Sequence, residues 1–320
     1  MSKFFESIKH FFSEMFVSSS AQADEINRLF LGYLILSAII LGVVLFMVIG
    51  GIIKYRESKR GGKARQVFGN KKLELVWTII PFVIVTVLFF ISLQVMENIN
   101  EPVVNGKKPD IEIIAHQWWW DMRYPKQDVT TANELHIPTG KKLLMRIQSA
   151  DVIHSWWVPA LGRKIDAVPG HNNFGWVEAD SSGVYEGTCS EYCGNQHAWM
   201  RIKVVAEPQA EFDRWIQHQK QTALQPKGEQ ARQGELLFQT KTCGNCHAIS
   251  GTPANGRIAP DLSHIASRET LLSGMMLNKK ENLRKWLENP QNVKKGSNMP
   301  NFLMSDKEVS ELVAYLEQLK

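Results

Sequence analysis

The chain has 320 residues, room for two or three domains at roughly 100–200 residues each. Hydrophobic residues make up 44% and charged residues 22%, which excludes a disordered or collagen-like chain. The formal charge of +5 is too mild to point to nucleic acid, and a mean hydropathy of −0.19 excludes a pure membrane bundle. Four cysteines are too few for a disulfide scaffold.

Leu29 to Ile53 is a run of 25 residues without a charge, and Leu75 to Met96 is a second of 22. At about 1.5 Å of rise per residue, each run reaches across a hydrocarbon core of roughly 30 Å. Soluble helices of this length carry a polar face, and these do not. Pro81 is tolerable inside a membrane helix. Between the runs stand Lys54, Arg56, Lys59, Arg60, Lys63, Arg65, Lys71 and Lys72 against one acid, Glu57. Short basic loops stay in the cytoplasm, so the spacing predicts a transmembrane hairpin over 29–99 with both chain termini on the outer face. Ahead of it, residues 1–28 read as an exported amphipathic segment open to trimming. Ala21-Gln22-Ala23 resembles a signal-peptidase site, but His10 and Glu14 interrupt the stretch before it. Glu74 opens the second span, where an acid favours the helix dipole.

Residues 100–206 change character. Ile111–Ala115, Leu143–Ile147 and Ile202–Val205 are short β-rich runs separated by turns such as Pro138-Thr-Gly140 and Pro169-Gly170, the pattern of a small all-β domain. Its chemistry lies in Cys189-Ser-Glu-Tyr-Cys193-Gly-Asn-Gln-His197-Ala-Trp-Met200, with His154 upstream in Asp151-Val-Ile-His154-Ser-Trp. Thiolate, imidazole and thioether together suit copper better than magnesium, calcium or manganese. A Cys189–Cys193 disulfide and a two-Cys, two-His zinc site are the alternatives; the zinc site leaves Met200 without a role. A mononuclear blue-copper site needs one cysteine, so the second thiolate argues for two metals.

Residues 207–229 are polar, a helix running into a linker that includes Gln219-Lys-Gln-Thr-Ala-Leu-Gln-Pro-Lys-Gly228. Beyond it, Cys243-Gly-Asn-Cys246-His247 has the c-type haem attachment pattern: two thiols for the vinyl groups and an adjacent histidine for the iron. A second axial ligand has to come from downstream, where Met299 competes with Met275, Met276 and Met304. Ser305-Asp-Lys-Glu308 is a capping box. Val309, Leu312, Val313 and Leu316 follow at helical spacing, and Leu283, Trp286 and Leu287 mark another helix, so 230–320 reads as small and all-helical.

Cys-Ser-Glu-x-Cys-Gly-x-x-His-x-x-Met with an upstream His-Ser-Trp resembles the binuclear CuA loop of cytochrome c oxidase subunit II, a likeness running from about residue 29 to 206. The resemblance implies a cupredoxin fold in which Cys189 and Cys193 bridge two coppers and His154 and His197 each cap one. Met200 would bind one copper weakly, and the backbone carbonyl of Glu191 the other. The Glu191 side chain would also reach a magnesium shared with subunit I. In His116-Gln117-Trp118-Trp119-Trp120, Trp118 resembles the tryptophan that takes electrons from the donor; the family usually has tyrosine at Trp119. Trp120 reads as core packing, and His136 and His171 as core or surface residues. Leu161 to Gly170 is similar to the stretch that lies against subunit I. Glu74 resembles the glutamate at the mouth of a proton pathway in subunit I. Met299, in Asn298-Met299-Pro300, resembles the methionine ligand of class I cytochromes c, and Ala259-Pro260-Asp261-Leu262 the haem-side loop of oxidase-fused cytochromes.

The whole chain thus resembles subunit II of a caa-type oxidase in a bacterial inner membrane: a multidomain membrane protein with a two-helix hairpin, an all-β cupredoxin domain and an all-α class I cytochrome c domain. That implies electron transfer from cytochrome c, through haem c and CuA, to subunit I, with subunit III as a further partner. Oxygen would be reduced to water on subunit I, coupled to proton translocation. Neither hydrophobic run contains a histidine, so the haem–copper centre belongs to a partner chain. Quinol oxidase subunit II resembles this fold but lacks the copper ligands. The electron-input subunit of a CuA-containing nitric oxide reductase keeps them. A copper carrier would need labile exchange, which two bridging thiolates oppose. Residues 230–320 carry 12 basic and 9 acidic side chains and 101–205 carry 11 and 12, differences too small to decide how the domains dock.

Overall fold

The structure, a computed structural model, describes residues 17–56, 69–100 and 108–320. Residues 1–16 of the N-terminal segment and the loop positions Glu57, Lys59, Arg60, Lys63 and Arg65 lie outside the described residues. Two compact units result, residues 24–101 and residues 1–23 with 102–320.

The first unit is the helical hairpin. Helix α1 (Ala21–Lys54) begins ahead of the uncharged run, so Asp24, Glu25 and Arg28 form its opening turns. Helix α2 (Lys71–Ile99) is capped by Asn70, whose side chain accepts from the amides of Lys72 and Leu73 at 3.1 and 3.2 Å. Glu74 reaches back, its Oε1 accepting from the Asn70 amide at 3.3 Å. Phe46, Met47, Phe82 and Phe90 are exposed to between 63% and 79%, which in water would be untenable and in lipid is the ordinary state. The Tyr33 hydroxyl and Ser92 Oγ, 2.8 Å apart, join the two helices across polar atoms that lipid would not solvate.

In the second unit, ten strands make two five-stranded sheets. The strands are β1 (Ile111–His116), β2 (Trp119–Tyr124), β3 (Val129–Ala132), β4 (Glu134–Pro138), β5 (Leu143–Ser149), β6 (His154–Trp157), β7 (Ile165–Ala167), β8 (Asn173–Val177), β9 (Gly183–Cys189) and β10 (Arg201–Glu207). One sheet has the order β3-β2-β1-β5-β8, the other β4-β10-β9-β6-β7. The β1–β5 and β4–β10 pairs are parallel and the rest antiparallel. Strand β5 shows why the sandwich closes: Leu143, Met145, Ile147 and Ser149 are buried, while Leu144, Arg146 and Gln148 between them are partly exposed. Trp120, Met122, Leu135, Ile147, Met200 and Val204, drawn from both sheets and the loop between β9 and β10, share one core. The N-terminal residues join this body: the Ser19 amide donates to Ala160, Ser20 Oγ to the Leu161 carbonyl, and the Arg163 amide to Gln22 Oε1.

Residues 207–229 divide between two neighbours. Helix α3 (Gln209–Gln219) buries Phe212 and Ile216 in the β-domain core, and Trp215 stacks on His136 at 4.2 Å. His136, its Nδ1 3.0 Å from Glu207, is a packed histidine as its context suggests, and His171 is exposed. Residues 221–227 instead lie along the last module. The Gln221 carbonyl is 3.2 Å from His264 Nε2, the Ala223 amide donates to Ser250, and the Lys227 amide donates to Gln318 Oε1.

That module consists of α4 (Glu229–Thr240), α5 (Lys280–Glu288), α6 (Pro290–Val293) and α7 (Asp306–Leu316) around a core of Phe238, Leu262, Leu283, Val309, Leu312 and Leu316. It departs from an all-helical reading in a short ribbon, β11 (Thr270–Leu271) against β12 (Met276–Leu277), too short to show as a period-2 pattern. The capping box forms as its spacing predicts: Glu308 donates its amide to Ser305 Oγ, and Ser305 donates its own to Glu308 Oε2. Helices α4 and α7 cross over Gly234, where an added Cβ would stand 2.0 Å from the Glu311 carbonyl oxygen. Gly234→Ala is therefore expected to destabilise this module by about 1–3 kcal/mol, read as a lower urea midpoint for the haem absorption change that accompanies loss of native iron ligation. An unchanged midpoint would refute the close crossing.

Candidate metal centres

The first centre gathers at one end of the sandwich. His154 opens β6, Cys189 closes β9, and the loop running into β10 supplies Cys193, His197 and Met200. Both sulfurs are buried free thiols 3.8 Å apart. His154 Nδ1 lies 3.8 Å from Cys189 Sγ, and His197 Nδ1 lies 3.5 Å from Cys193 Sγ, one imidazole to each sulfur. Met200, fully buried, brings Sδ to 3.9 Å from Cys193 Sγ. The Glu191 carbonyl is 3.3 Å from Cys189 Sγ, while its side chain is exposed. His154, Cys189 and Cys193 hold their ligand atoms within 4.8 Å of one another. Two thiols, two imidazoles and a thioether, all buried except the half-buried His197, are soft to borderline donors and fit copper. The thioether faces the cluster, which a zinc site would not use.

The electrostatics of the donor set are uneven: the bond with Cys189 and burial hold the Cys193 thiol above its ordinary pKa, and metal uptake has to displace that proton and any on His154. A hydrogen bond from the Cys193 thiol holds the Cys189 sulfur well below its ordinary pKa, giving a thiolate in the pair. Burial of the His154 ring opposes protonation, but its bonds to Asp151 and Cys189 outweigh that and raise it. Asp151 is the outer support: Oδ1 is 2.8 Å from His154 Nε2 and accepts from the Val152 amide, and Oδ2 accepts from the Gln117 amide at 2.6 Å. A carboxylate on the far nitrogen orients the ring and leaves Nδ1 free to ligate.

Trp118 Nε1 and Gln117 Nε2 both donate to the Cys193 carbonyl, at 2.9 and 2.8 Å, so this segment is bonded directly to the metal loop. Trp120 packs edge-on to Trp156 and His154, as a core residue. Trp119 stacks on His116 at 4.4 Å.

The second centre is in the last module. Cys243–Asn245 form a 3-10 turn, and the amides of Cys246 and His247 both donate to the Cys243 carbonyl, placing the two thiols and the imidazole on one turn of chain. Loop 254–259 closes on that turn: the Gly256 amide donates to Gly244, and those of Ile258 and Ala259 to Cys246. At Gly256 an added Cβ would meet the Asn245 and Cys246 backbone at 2.5 Å. His247 Nδ1 is 2.7 Å from the Pro260 carbonyl, and burial lowers the ring's pKa. A neutral imidazole whose Nδ1–H is spent on a carbonyl offers Nε2 to a metal. Met299 packs against the same core cluster as Cys243, as do Met276 and Met304. The residues fit a covalently held haem.

A sandwich carrying a buried thiol–imidazole–thioether cluster, joined in one chain to a Cys-x-x-Cys-His helical module and a lipid-facing hairpin, defines a membrane-anchored redox protein. Family profiles agree with each part: cytochrome c oxidase subunit II, transmembrane domain, over residues 9–95; its periplasmic domain over 126–207; and cytochrome c over 231–320. Cytochrome c oxidase subunit 2 of Alkalihalophilus pseudofirmus is 35% identical, the match covering 90% of this chain and 86% of that one. The same-named protein of Bacillus sp. strain PS3 is 33% identical over 83% and 79%. Quinol oxidase subunit 2 of Bacillus subtilis is 31% identical over 68% of each. The crystal structure of the periplasmic domain of cytochrome oxidase subunit II of Bradyrhizobium japonicum, 33% identical, covers 36% of this chain and 96% of that one at a TM-score of 0.34. The chain belongs to the cytochrome c oxidase subunit II family and carries a cytochrome c domain. It is membrane-anchored with a periplasmic domain, and copper and haem binding follow from the two domain families. It therefore partners other subunits of a haem-copper oxidase.

The loop residues named from sequence come together; Glu74 stands apart in the first turn of α2. Two supports escaped sequence reading. Asp151 carried a signal in its place three residues before His154. Gln117 carried none, since only the fold brings it to Cys193.

Proposed function

We propose that this chain is the electron-input subunit of a terminal cytochrome c oxidase in a bacterial plasma membrane, partnered by subunits I and III and fed by a soluble or membrane-bound cytochrome c. Cys243, Cys246, His247 and Met299 would hold the haem, the two cysteines through thioether links. Cys189, Cys193, His154, His197, Met200 and the Glu191 carbonyl would hold the copper pair. When bound, the two centres supply one-electron chemistry, delivering electrons from cytochrome c toward subunit I, where oxygen is reduced to water with proton translocation. Trp118 is the residue through which electrons reach the copper loop. The observation that carries this reading is its Nε1 bond to the carbonyl of Cys193, a ligand residue, at 2.9 Å.

What the chain itself contributes is rigidity. All the ligands but His154, on β6, sit at or on the short loop between the paired strands β9 and β10. Gln117 and Trp118 are bonded to that loop and Asp151 to His154, so little moves when charge changes. The exposed Glu191 carboxylate is free to take a magnesium at the face shared with subunit I. The basic loop sets the orientation: loop inside, both termini and both metal domains outside. The test is oxygen uptake by the purified complex given reduced cytochrome c, expected to be cyanide-sensitive. Nitric oxide consumption without oxygen uptake would move the chain to a nitric oxide reductase.

Glu74 is proposed to stand at the mouth of a proton pathway. Glutamine at 74 keeps an acceptor for the Asn70 amide and removes only the titratable proton. Glu74→Gln is expected to slow turnover several-fold while copper reduction stays at the parent rate. Normal turnover would leave Glu74 as a helix cap alone.

A further inference from the structure

The cytochrome module and the β-domain are fastened by two buried charges, beside one ion pair at the rim between Lys203 of β10 and the exposed Glu269. Lys294, at the end of α6, is 4% exposed. Its Nζ donates to the Trp118 carbonyl at 2.9 Å and to the Leu272 carbonyl at 3.3 Å. Ser273 Oγ donates to the same Trp118 oxygen at 2.8 Å. In the reverse direction Glu134, 5% exposed at the start of β4, accepts from the Thr270 amide at 3.1 Å, the Thr270 hydroxyl at 3.0 Å and the Glu269 amide at 3.4 Å. The Arg201 amide donates to the Ser273 carbonyl at 3.1 Å, and Gln196 Nε2 to the Lys295 carbonyl at 2.6 Å. Each body thus sends one charged side chain into the main chain of the other.

Such burial is costly unless the geometry is complete. Lys294 forms no ion pair among the described residues; its partners are two carbonyl oxygens. One of them belongs to the tryptophan whose indole is bonded to Cys193. With the module in place, Trp118 is 8% exposed, so a second protein has little of it to reach.

We infer that Lys294 and Glu134 are positioning residues of an internal clamp that holds the cytochrome module on the Trp118 face, so that an external donor delivers electrons to the module and not to Trp118 directly. The inference rests on the electron-transfer reading above. The step it serves moves one electron: the haem iron goes from ferrous to ferric, the copper pair gains that electron, and no bond forms or breaks. The clamp acts by fixing where the module sits during that step.

Burial pushes the Lys294 ammonium down to about 8. An apolar side chain of similar length could therefore fill its slot without loss, which makes alanine the informative replacement. The test uses the intact oxidase complex with Lys294→Ala, Glu134→Ala or Ser273→Ala. It reads amide exchange over 196–206 and 268–276, the copper and haem spectra, and internal electron transfer after photoreduction of haem c. Lys294→Ala and Glu134→Ala are expected to speed exchange at the Arg201 and Thr270 amides by about tenfold or more. They slow internal transfer by a similar factor with both spectra unchanged, and copper reduction by soluble cytochrome c becomes directly measurable. Ser273→Ala removes one of two bonds to the Trp118 oxygen and shifts the same quantities less. Unchanged exchange and transfer in both charge variants overturns the clamp. Loss of copper in both overturns it too, since the residues would then serve folding. If exchange rises as expected but the parent shows no electron passing from haem c to copper, the electron-transfer reading fails and the positioning role with it, while the contact stands.

Discussion

Replacing Cys193 by serine is expected to abolish the signal of two coppers sharing one unpaired electron and to leave haem c untouched. Serine offers a hard oxygen where a soft bridging sulfur sits between His197 Nδ1 at 3.5 Å and Met200 Sδ at 3.9 Å. The fold has little reason to fail, because the bonds from Trp118 and Gln117 end on the Cys193 backbone carbonyl, which serine retains. Changes in an outer shell alone cost about 10–100-fold in metal affinity or activity. Losing a bridging ligand is therefore expected to cut oxygen uptake by more than about 100-fold. Copper analysis, electron paramagnetic resonance and the haem absorption band together check this. A binuclear signal surviving in Cys193→Ser would remove this residue from the ligand set.

Met299→Ala is expected to lower the haem potential by on the order of 100 mV or more and to open the iron to cyanide or carbon monoxide. Thioether ligation raises the potential of a cytochrome c haem, and its loss leaves His247 alone on the iron. The backbone of Met299 is held independently, Gln291 Nε2 donating to its carbonyl at 3.1 Å, so the loop is expected to keep its course. Potentiometry and ligand-binding spectra provide the check. An unchanged spectrum would point to Met276 or Met304, which pack on the same cluster, or to Met275.

Most of the donors expected at each centre were legible because they are nearly contiguous in the chain, His154 and Met299 being the distant members. Cys189 to Met200 is one loop and Cys243 to His247 one turn, so spacing carried the chemistry before any fold was known. The hairpin was legible for a similar reason: its pattern is local and needs no partner. What stayed hidden depends on distant residues meeting. Lys294 and Trp118 are 176 positions apart and Glu134 and Thr270 are 136 apart. Each of these charges, read along its own segment, looks like an ordinary solvated side chain. The near balance of charge in the two domains is no guide to docking either, because Lys294 and Glu134 act from positions removed from water. Helix α3 was expected in 207–229, but its seat on the β-domain was not legible: only Phe212, Trp215 and Ile216 mark its apolar face, amid polar residues.

The division of residues 207–229 bears on what kind of joint links the two redox domains. Helix α3, held on the β-domain core through Phe212 and Ile216, ends at Gln219, and from Gln221 the chain is already bonded to the cytochrome module. A flexible leash of the ten residues from Gln219 to Gly228 would reach roughly 33–36 Å, enough for the module to roam and trade places with competitors. With 221–227 laid along the module, the slack shrinks to the neighbourhood of Lys220. A cytochrome released from its seat would therefore stay beside it, and re-docking would be an intramolecular event at high effective concentration.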